Sequence, residues 1–266
     1  CESTAWRPAD TYHPERLIMT IRYVVAVASA LLLSSAAHAA DITVLASGAV
    51  KDAYLDLIPQ FEKASGHKVQ TTWAGTVDIK KKMAAGETFD VVIVAGSEVD
   101  AFIGEGKIAA GSRVDLVRSS VGVAVKAGAP RPDVSSGDAL KKALLAAKTV
   151  GYSTGPSGVY LLTMFEKMGI ADAVKAKAKQ TPPGFGVAKI IANGEAEIGF
   201  QQVSELIHEP GIDFIGPLSP DVDNVTVFSS GVHSGAKQSD AAKTMQKFLT
   251  SPEVAPVYKK HGLNPA

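Results

Sequence analysis

The chain has 266 residues, 27 Lys plus Arg balanced by 27 Asp plus Glu, and one cysteine, Cys1. Zero net charge with no basic run argues against a nucleic-acid surface, which needs clustered cations to neutralise phosphates. A lone cysteine at the first position excludes a disulfide scaffold, a thiol nucleophile and a Cys-ligated metal from the rest of the chain.

Residues 1–18 begin on Cys and carry no apolar periodicity, so they are expected to lie upstream of the translated start. Residues 19–39 have the layout of a cleavable signal peptide: Arg22, the apolar run Tyr23–Leu33, and the small-x-small site Ala37-His38-Ala39. That run is too short to span a bilayer. The expectation is export to the periplasm without membrane insertion.

From Asp41 onward, strand and helix patterns alternate. Asp41–Ala46 is a short apolar run that reads as a buried strand. Ser47-Gly48-Ala49 follows, then a helical spacing through Ala53, Tyr54, Leu57, Ile58 and Phe61 that stops at Gly66. Lys68–Trp73 alternates as a strand, Ala74-Gly75-Thr76 turns, and a helix runs to Met83. Phe89–Val94 is a third strand, followed by Ala95-Gly96-Ser97 and a short helix. Strand, small-residue turn and helix, three times over, is the pattern of a parallel sheet with crossover helices. In such sheets ligands sit beyond the carboxyl ends of the strands, where all three turns fall.

Ser120–Lys126 reads as a strand near a lobe boundary, with a Pro/Gly/Ser loop behind it. Helices are expected over Asp138–Ala147, Val159–Met168 and Val187–Asn193, and strands over Thr149–Tyr152, Glu197–Gln201 and Ile212–Ile215. Gln202–Ile207 reads as a short helix. Val225–Phe228 reads as a returning crossover strand, with helices over Ser239–Leu249 and Pro252–Lys260 closing the chain. These patterns divide the chain into one lobe of residues 40–120 plus 229–266 and a second of 121–228.

Three turns share a chemistry. Ser47, Thr76 and the Ser153-Thr154-Gly155-Pro156-Ser157-Gly158 segment each set a short hydroxyl beside glycine at a helix start. The first N–H groups of a helix lack intrahelical partners and the helix dipole adds positive potential, so such turns can hold an anion. Taken singly, each is also an ordinary N-cap; it is their register at one sheet edge that favours an anion cleft. No cation is prominent among them, although Lys51 and Arg118 lie near enough in sequence to pair with a carboxylate. Pro182–Gly186 reads either as a connector or as a cleft wall shaped by Phe185.

No metal or cofactor is expected. His67, His208, His233 and His261 show no ligand spacing, and neither a phosphate loop nor a G-x-S-x-G elbow occurs.

The order Leu45-Ala46-Ser47-Gly48-Ala49, Ile58–Gly66, Thr72-Trp73-Ala74-Gly75-Thr76, Phe89–Ile93 and Phe248–Glu253 resembles the periplasmic binding component of molybdate-type ABC transporters. That resemblance implies a type II periplasmic binding protein: an α/β chain of two Rossmann-like lobes joined by two crossover strands, monomeric, serving an ABC permease. It implies ligand contacts from Ser47, Gly48, Gly75 and Thr76 in the first lobe. From the second it implies Ser153, Thr154, Gly155 and Ser157, with Gln201 and Gln202 at the end of a strand. Members of that family carry a tyrosine after this strand where the present chain has Phe200-Gln201-Gln202. Glutamines both donate and accept, which suits an organic polycarboxylate better than a bare oxyanion. The chain is also similar to periplasmic aconitate isomerase, which implies an allylic proton shift between trans- and cis-aconitate and one base near an acidic C–H. Glu205, Asp78 and His233 are the candidate bases, and Tyr160 a candidate donor. Two functions follow: a receptor that captures a small anion for an ABC transporter, or an isomerase on the same fold.

Overall fold

The structure, a computed structural model, describes residues 39–182 and 185–266. The upstream segment expected over residues 1–18 and the signal peptide expected over 19–39 lie, Ala39 apart, outside the described residues.

In chain order the elements are β1 (Asp41–Ser47), α1 (Lys51–Ser65), β2 (Lys68–Ala74), α2 (Thr76–Ala84), β3 (Val91–Ala95), α3 (Gly96–Gly104), β4 (Val114–Ser119) and β5 (Val121–Lys126). Then come α4 (Gly137–Ala146), β6 (Val150–Tyr152), α5 (Pro156–Lys167), α6 (Ala171–Lys175), β7 (Ala178–Gln180), α7 (Val187–Ala192) and β8 (Ile198–Gln202). The last are β9 (Ile212–Pro217), β10 (Thr226–Val232), α8 (Ser239–Leu249), α9 (Ala255–Lys260) and β11 (Asn264–Pro265). Single 3₁₀ turns sit at Gly48–Val50, Val203–Glu205 and Pro252–Val254.

The strands form two sheets, one per lobe, ordered β11-β4-β10-β3-β1-β2 and β7-β6-β8-β5-β9. In the first, β1 runs parallel to both β2 and β3, as the repeated strand–turn–helix units require, while β10 returns antiparallel between β3 and β4. In the second, β6 lies parallel to β7 and β8, and β5 pairs antiparallel with β8 and β9. The chain passes between the sheets at Ser120 and again between β9 and β10.

Both faces of the first sheet are covered, which is why its inner strands read as unbroken apolar runs. Ile42, Val44, Val91 and Ile93 face α1, α8 and α9, whereas Leu45, Val92 and Val94 face α2 and α3. The second sheet repeats the scheme. Val123, Val150, Ile198 and Phe200 pack on α4 and α5, and Ala124 packs with Val187 and Ile191 of α7. Helix α1 ends because Gly66 takes φ 76°, a left-handed conformation costly for any side chain, and its N–H caps Glu62 O at 2.9 Å.

A buried carboxylate stitches the first lobe. Asp90, just before β3, accepts from Thr43 N (2.8 Å), Thr43 Oγ1 (2.9 Å), Lys237 N (2.8 Å) and Gln238 N (2.8 Å). It therefore joins the start of β1 to the loop that enters α8. Burial pushes its pKa up, but the four hydrogen bonds outweigh burial and hold it below 3.8.

Several boundaries differ from the sequence pattern. Strand β4 is absent from the pattern because Asp115 and Arg118 interrupt its apolar residues; it forms because β10 and β11 pair with it on both sides. Strand β7 is too short and polar to be seen locally and exists through its pairing with β6. The crossover strand expected over Val225–Phe228 runs on to Val232, since β3 and β4 supply ladders on both edges. The helix expected over Gln202–Ile207 is one 3₁₀ turn, Val203–Glu205, following a β8 that ends one residue later than expected.

Candidate functional site

The carboxyl ends of β1 and β2 face α5, α7 and the end of β8 across a cleft of ≈ 190 Å³. This is below the several hundred Å³ usual for drug-sized ligands and fits a small solute. Ser47, Gly48, Ala74 and Gly75 contribute from the first lobe, and Ser153, Thr154, Gly155, Gly186 and Gln201 from the second. Ser204 and Glu205 close one end, and Lys51, Asp52, Trp73, Phe185, Lys189 and Glu209 also border the cleft.

Helix-start chemistry places each hydroxyl. Ser47 Oγ accepts from Ala49 N–H at 3.4 Å, and Ser153 Oγ accepts from Gly155 N–H at 3.1 Å. Both serines thus cap a turn through a lone pair. A hydroxyl acting as acceptor keeps its own hydrogen to donate. Glycine permits the lobes to meet: a Cβ on Gly75 would lie 2.7 Å from Thr154 Oγ1. At the other end Ser204 Oγ donates to Ala49 O at 2.7 Å, binding the 3₁₀ turn after β8 to the turn after β1.

Glu205 stands at this junction. Its carboxyl lies deep among protein atoms although the residue keeps some surface open to the cleft. Burial pushes its pKa up to about 7, against opposing hydrogen bonds from the Gln201 side chain and the Gln202 backbone. The nearby charges of Asp52 and Glu209 push in the same direction as burial. Gln201 Nε2 donates to Glu205 Oε1 at 2.7 Å, and Gln201 Oε1 accepts from Val187 N–H at 2.7 Å.

Residues 42–264 match the family described as bacterial extracellular solute-binding protein. The chain belongs to this family. Over 247 residues it is 36% identical to the aconitate isomerase of a Pseudomonas sp, covering 89% of this chain and 94% of that protein. It is 28% identical over 255 residues to the molybdate-binding protein ModA of Azotobacter vinelandii, covering 91% and 96%. Among solved structures, the periplasmic molybdate-binding protein of Azotobacter vinelandii superposes with a TM-score of 0.70 at 17% identity, over 84% of this chain and 98% of that one. The sulfate-binding protein SubI of Mycobacterium tuberculosis H37Rv does so at 0.68 and 17%, over 85% and 87%. The two lobes are thus the fold of type II periplasmic binding proteins.

Within this family member the expected ligand residues divide. Ser47, Gly48, Gly75, Ser153, Thr154, Gly155 and Gln201 come together in the cleft. Thr76 does not border it: it faces a neighbouring cavity with Arg113, Tyr160 and Asn224, and its buried Oγ1 has no partner. Ser157 is buried in the first turn of α5, 3.5 Å from Ser153 Oγ. Gln202, one residue along β8, points the other way, as strand alternation demands. With both ends of its amide satisfied, it donates to Ser119 Oγ and Ser120 O (3.0 Å each) and accepts from Thr226 Oγ1 at 3.3 Å. It therefore bridges the two passages between the lobes and is not a cleft residue.

Of the candidate bases, Glu205 alone borders the cleft. Asp78 lies 3.9 Å from Lys81 on the first turns of α2. His233 Nδ1 accepts from Gly235 N–H at 2.9 Å on the far side of the first sheet. Tyr160 donates to Val222 O at 2.8 Å. Arg118 is exposed on β4, away from the cleft, whereas Lys51 stands at its border. Lys189, which sequence reasoning missed, also stands there, 4.7 Å above the Phe185 ring. Its position in the first turn of α7, just after Gly186, was the available signal. Among the described residues no helix is long and apolar enough to cross a membrane, and no group of three or more His, Cys, Asp or Glu is placed to hold a metal ion.

Proposed function

We propose that the protein interconverts trans- and cis-aconitate by an allylic proton shift in the cleft, with Glu205 as the proton-transfer group. One observation carries this reading: Glu205, whose carboxyl is enclosed by protein and whose pKa burial pushes up to about 7, borders a small cleft among the hydroxyl–glycine turns of both lobes. A pure receptor for a polyanion has no use for a buried acid that repels its ligand when ionised. A base poised near neutral pH is what proton abstraction requires. The 36%-identical aconitate isomerase supports the same choice.

In this reading the substrate carboxylates are held by the Ser47 and Ser153 hydroxyls, the adjoining N–H groups, and Lys51 and Lys189 at the border. The Glu205 carboxylate takes a proton from the substrate methylene. The electron pair spreads over the allyl carbons and their carboxylates. Glu205 returns the proton to the far carbon, so one C–H bond breaks, another forms and the double bond moves with no net redox change. The first sheet with its helices, residues 40–119 and 226–266, and the second, residues 121–217, are the two bodies that close on the ligand, the strand boundary near 228 moving to the start of β10, and the protein works as a periplasmic monomer.

The second reading is a receptor that passes an organic polycarboxylate to an ABC permease; the family and the molybdate-binding relatives support it. The two separate cleanly. Purified protein mixed with trans-aconitate and followed by proton NMR should produce the cis isomer, and Glu205→Gln should bind aconitate without converting it. A wild-type protein whose melting temperature rises with aconitate but which never forms the other isomer is a receptor. A rise with molybdate and none with any carboxylate removes both forms of the organic-acid reading.

A further inference from the structure

Gln201 is the most committed side chain in the cleft. It is 4% exposed and its amide is engaged at both ends, on Val187 N–H and on Glu205 Oε1, each at 2.7 Å. The first bond dictates the second. Val187 opens α7, so its N–H is one of the helix donors without an intrahelical partner. An amide oxygen turned to that N–H must turn its nitrogen to the other side, where the Glu205 carboxyl stands. Gly48 approaches the same carboxylate oxygen; a Cβ there would come within 3.0 Å of it. The carboxyl is thus held between a helix start in one lobe and a glycine turn in the other.

We propose that Gln201 is the positioning residue for Glu205: its amide, anchored on the start of α7, fixes the orientation of the carboxyl and favours its ionised, proton-accepting form. This deepens the isomerase reading and rests on it. The physical reason is that a hydrogen-bond donor stabilises a carboxylate more than a carboxylic acid. Burial and the acidic neighbours Asp52 and Glu209 oppose ionisation, and Lys51 and Lys189 stand at the cleft border. All four charges remain when Gln201 alone is changed, so the substitution isolates the amide. The donor is stronger because its own oxygen accepts a helix-start N–H, which polarises the amide.

The test uses the full chain with ¹³C-labelled glutamate. The Glu205 titration step is assigned by its disappearance in Glu205→Gln. In Gln201→Met, which keeps the length and removes the amide, the step should move upward by about one to two pH units, the worth of one hydrogen bond to a charged group. The acidic limb of the kcat/KM profile for aconitate should move with it, and kcat should fall more than KM changes. Should Gln201→Met fail to fold, Val187→Pro removes the anchoring N–H at a helix position that tolerates proline, and a smaller upward move is expected. A Glu205 step that stays in place in a folded variant of either kind overturns the proposal, even if the melting temperature drops. If the step moves as expected but wild-type protein does not isomerise aconitate, the Gln201–Glu205 tie stands and the isomerase reading falls.

Discussion

Two buried carboxylates in this molecule behave in opposite ways. Asp90 is 3% exposed and its pKa lies below the ordinary aspartate value; Glu205 sits in the cleft and its pKa is near 7. Both are penalised by burial. Asp90 meets four donors, three of them backbone N–H groups fixed by β1 and the entry to α8. Glu205 receives one side-chain donor from Gln201 and faces the charges of Asp52 and Glu209. The difference teaches that burial alone does not set a carboxyl's chemistry; the count and rigidity of its donors decide whether the burial penalty is offset. A saturated carboxylate is a fastener, whereas an under-supplied one keeps its proton exchangeable near neutral pH.

Four experiments break or sharpen this contrast. The largest effect is expected for Glu205→Gln, which should lower aconitate turnover by about 10²–10⁴-fold, the usual worth of a general base, with affinity changed only a few-fold. Steady-state rates beside calorimetric binding check it, and an active variant would return Glu205 to a structural role. Asp90→Ala should destabilise the protein by about 3–5 kcal/mol in urea unfolding, because four donors lose their acceptor at once. The contribution of Asp90 has a defined pH sense: its folded pKa is depressed, so its stabilisation is complete above the ordinary aspartate range and disappears as pH falls through the folded value.

Glu205 has the opposite sense. Its folded pKa is raised from 4.5 to about 7, so the folded state holds a proton that the unfolded state has released. Stability is therefore lost as pH rises between these values, by up to about 3 kcal/mol above neutrality. Glu205→Gln should recover that amount at pH 8 and nothing at pH 4, a stabilising change that removes activity. Equal unfolding free energies for variant and wild type at pH 8 would contradict the raised pKa. The smallest effect is expected for Thr43→Val, which removes one of the four donors to Asp90. A loss of about 1–2 kcal/mol in the same urea experiment matches one hydrogen bond to a charged group.

Much of the fold was legible in the residues. The runs Asp41–Ala46 and Phe89–Val94 read as strands and lie within a residue or two of β1 and β3. The turns at Ser47-Gly48 and Ala74-Gly75 announced the edge where the cleft lies. What escaped was set by partners distant in the chain: β4, broken by Asp115 and Arg118, exists because β10 lies along it. The neighbouring glutamines were read as a pair of ligand groups. Strand alternation separates them, Gln201 toward the cleft and Gln202 toward Ser119, Ser120 and Thr226. Thr76 shows the same limit, since its helix start was evident but the cavity it faces was not.

The sequence by itself determined the three successive strand–turn–helix units of the first lobe and the glycine–hydroxyl turns that follow their strands. These depend on patterns a few residues long, and short-range sterics and hydrogen bonding settle them. Tertiary structure alone decided which acidic residue is special. Glu205 looks in sequence like any short-turn glutamate; its raised pKa comes first from burial among residues distant in the chain, and to a smaller degree from Asp52, more than a hundred residues earlier. Electrostatic environment is a property of three-dimensional neighbours and is not written in any local run of residues.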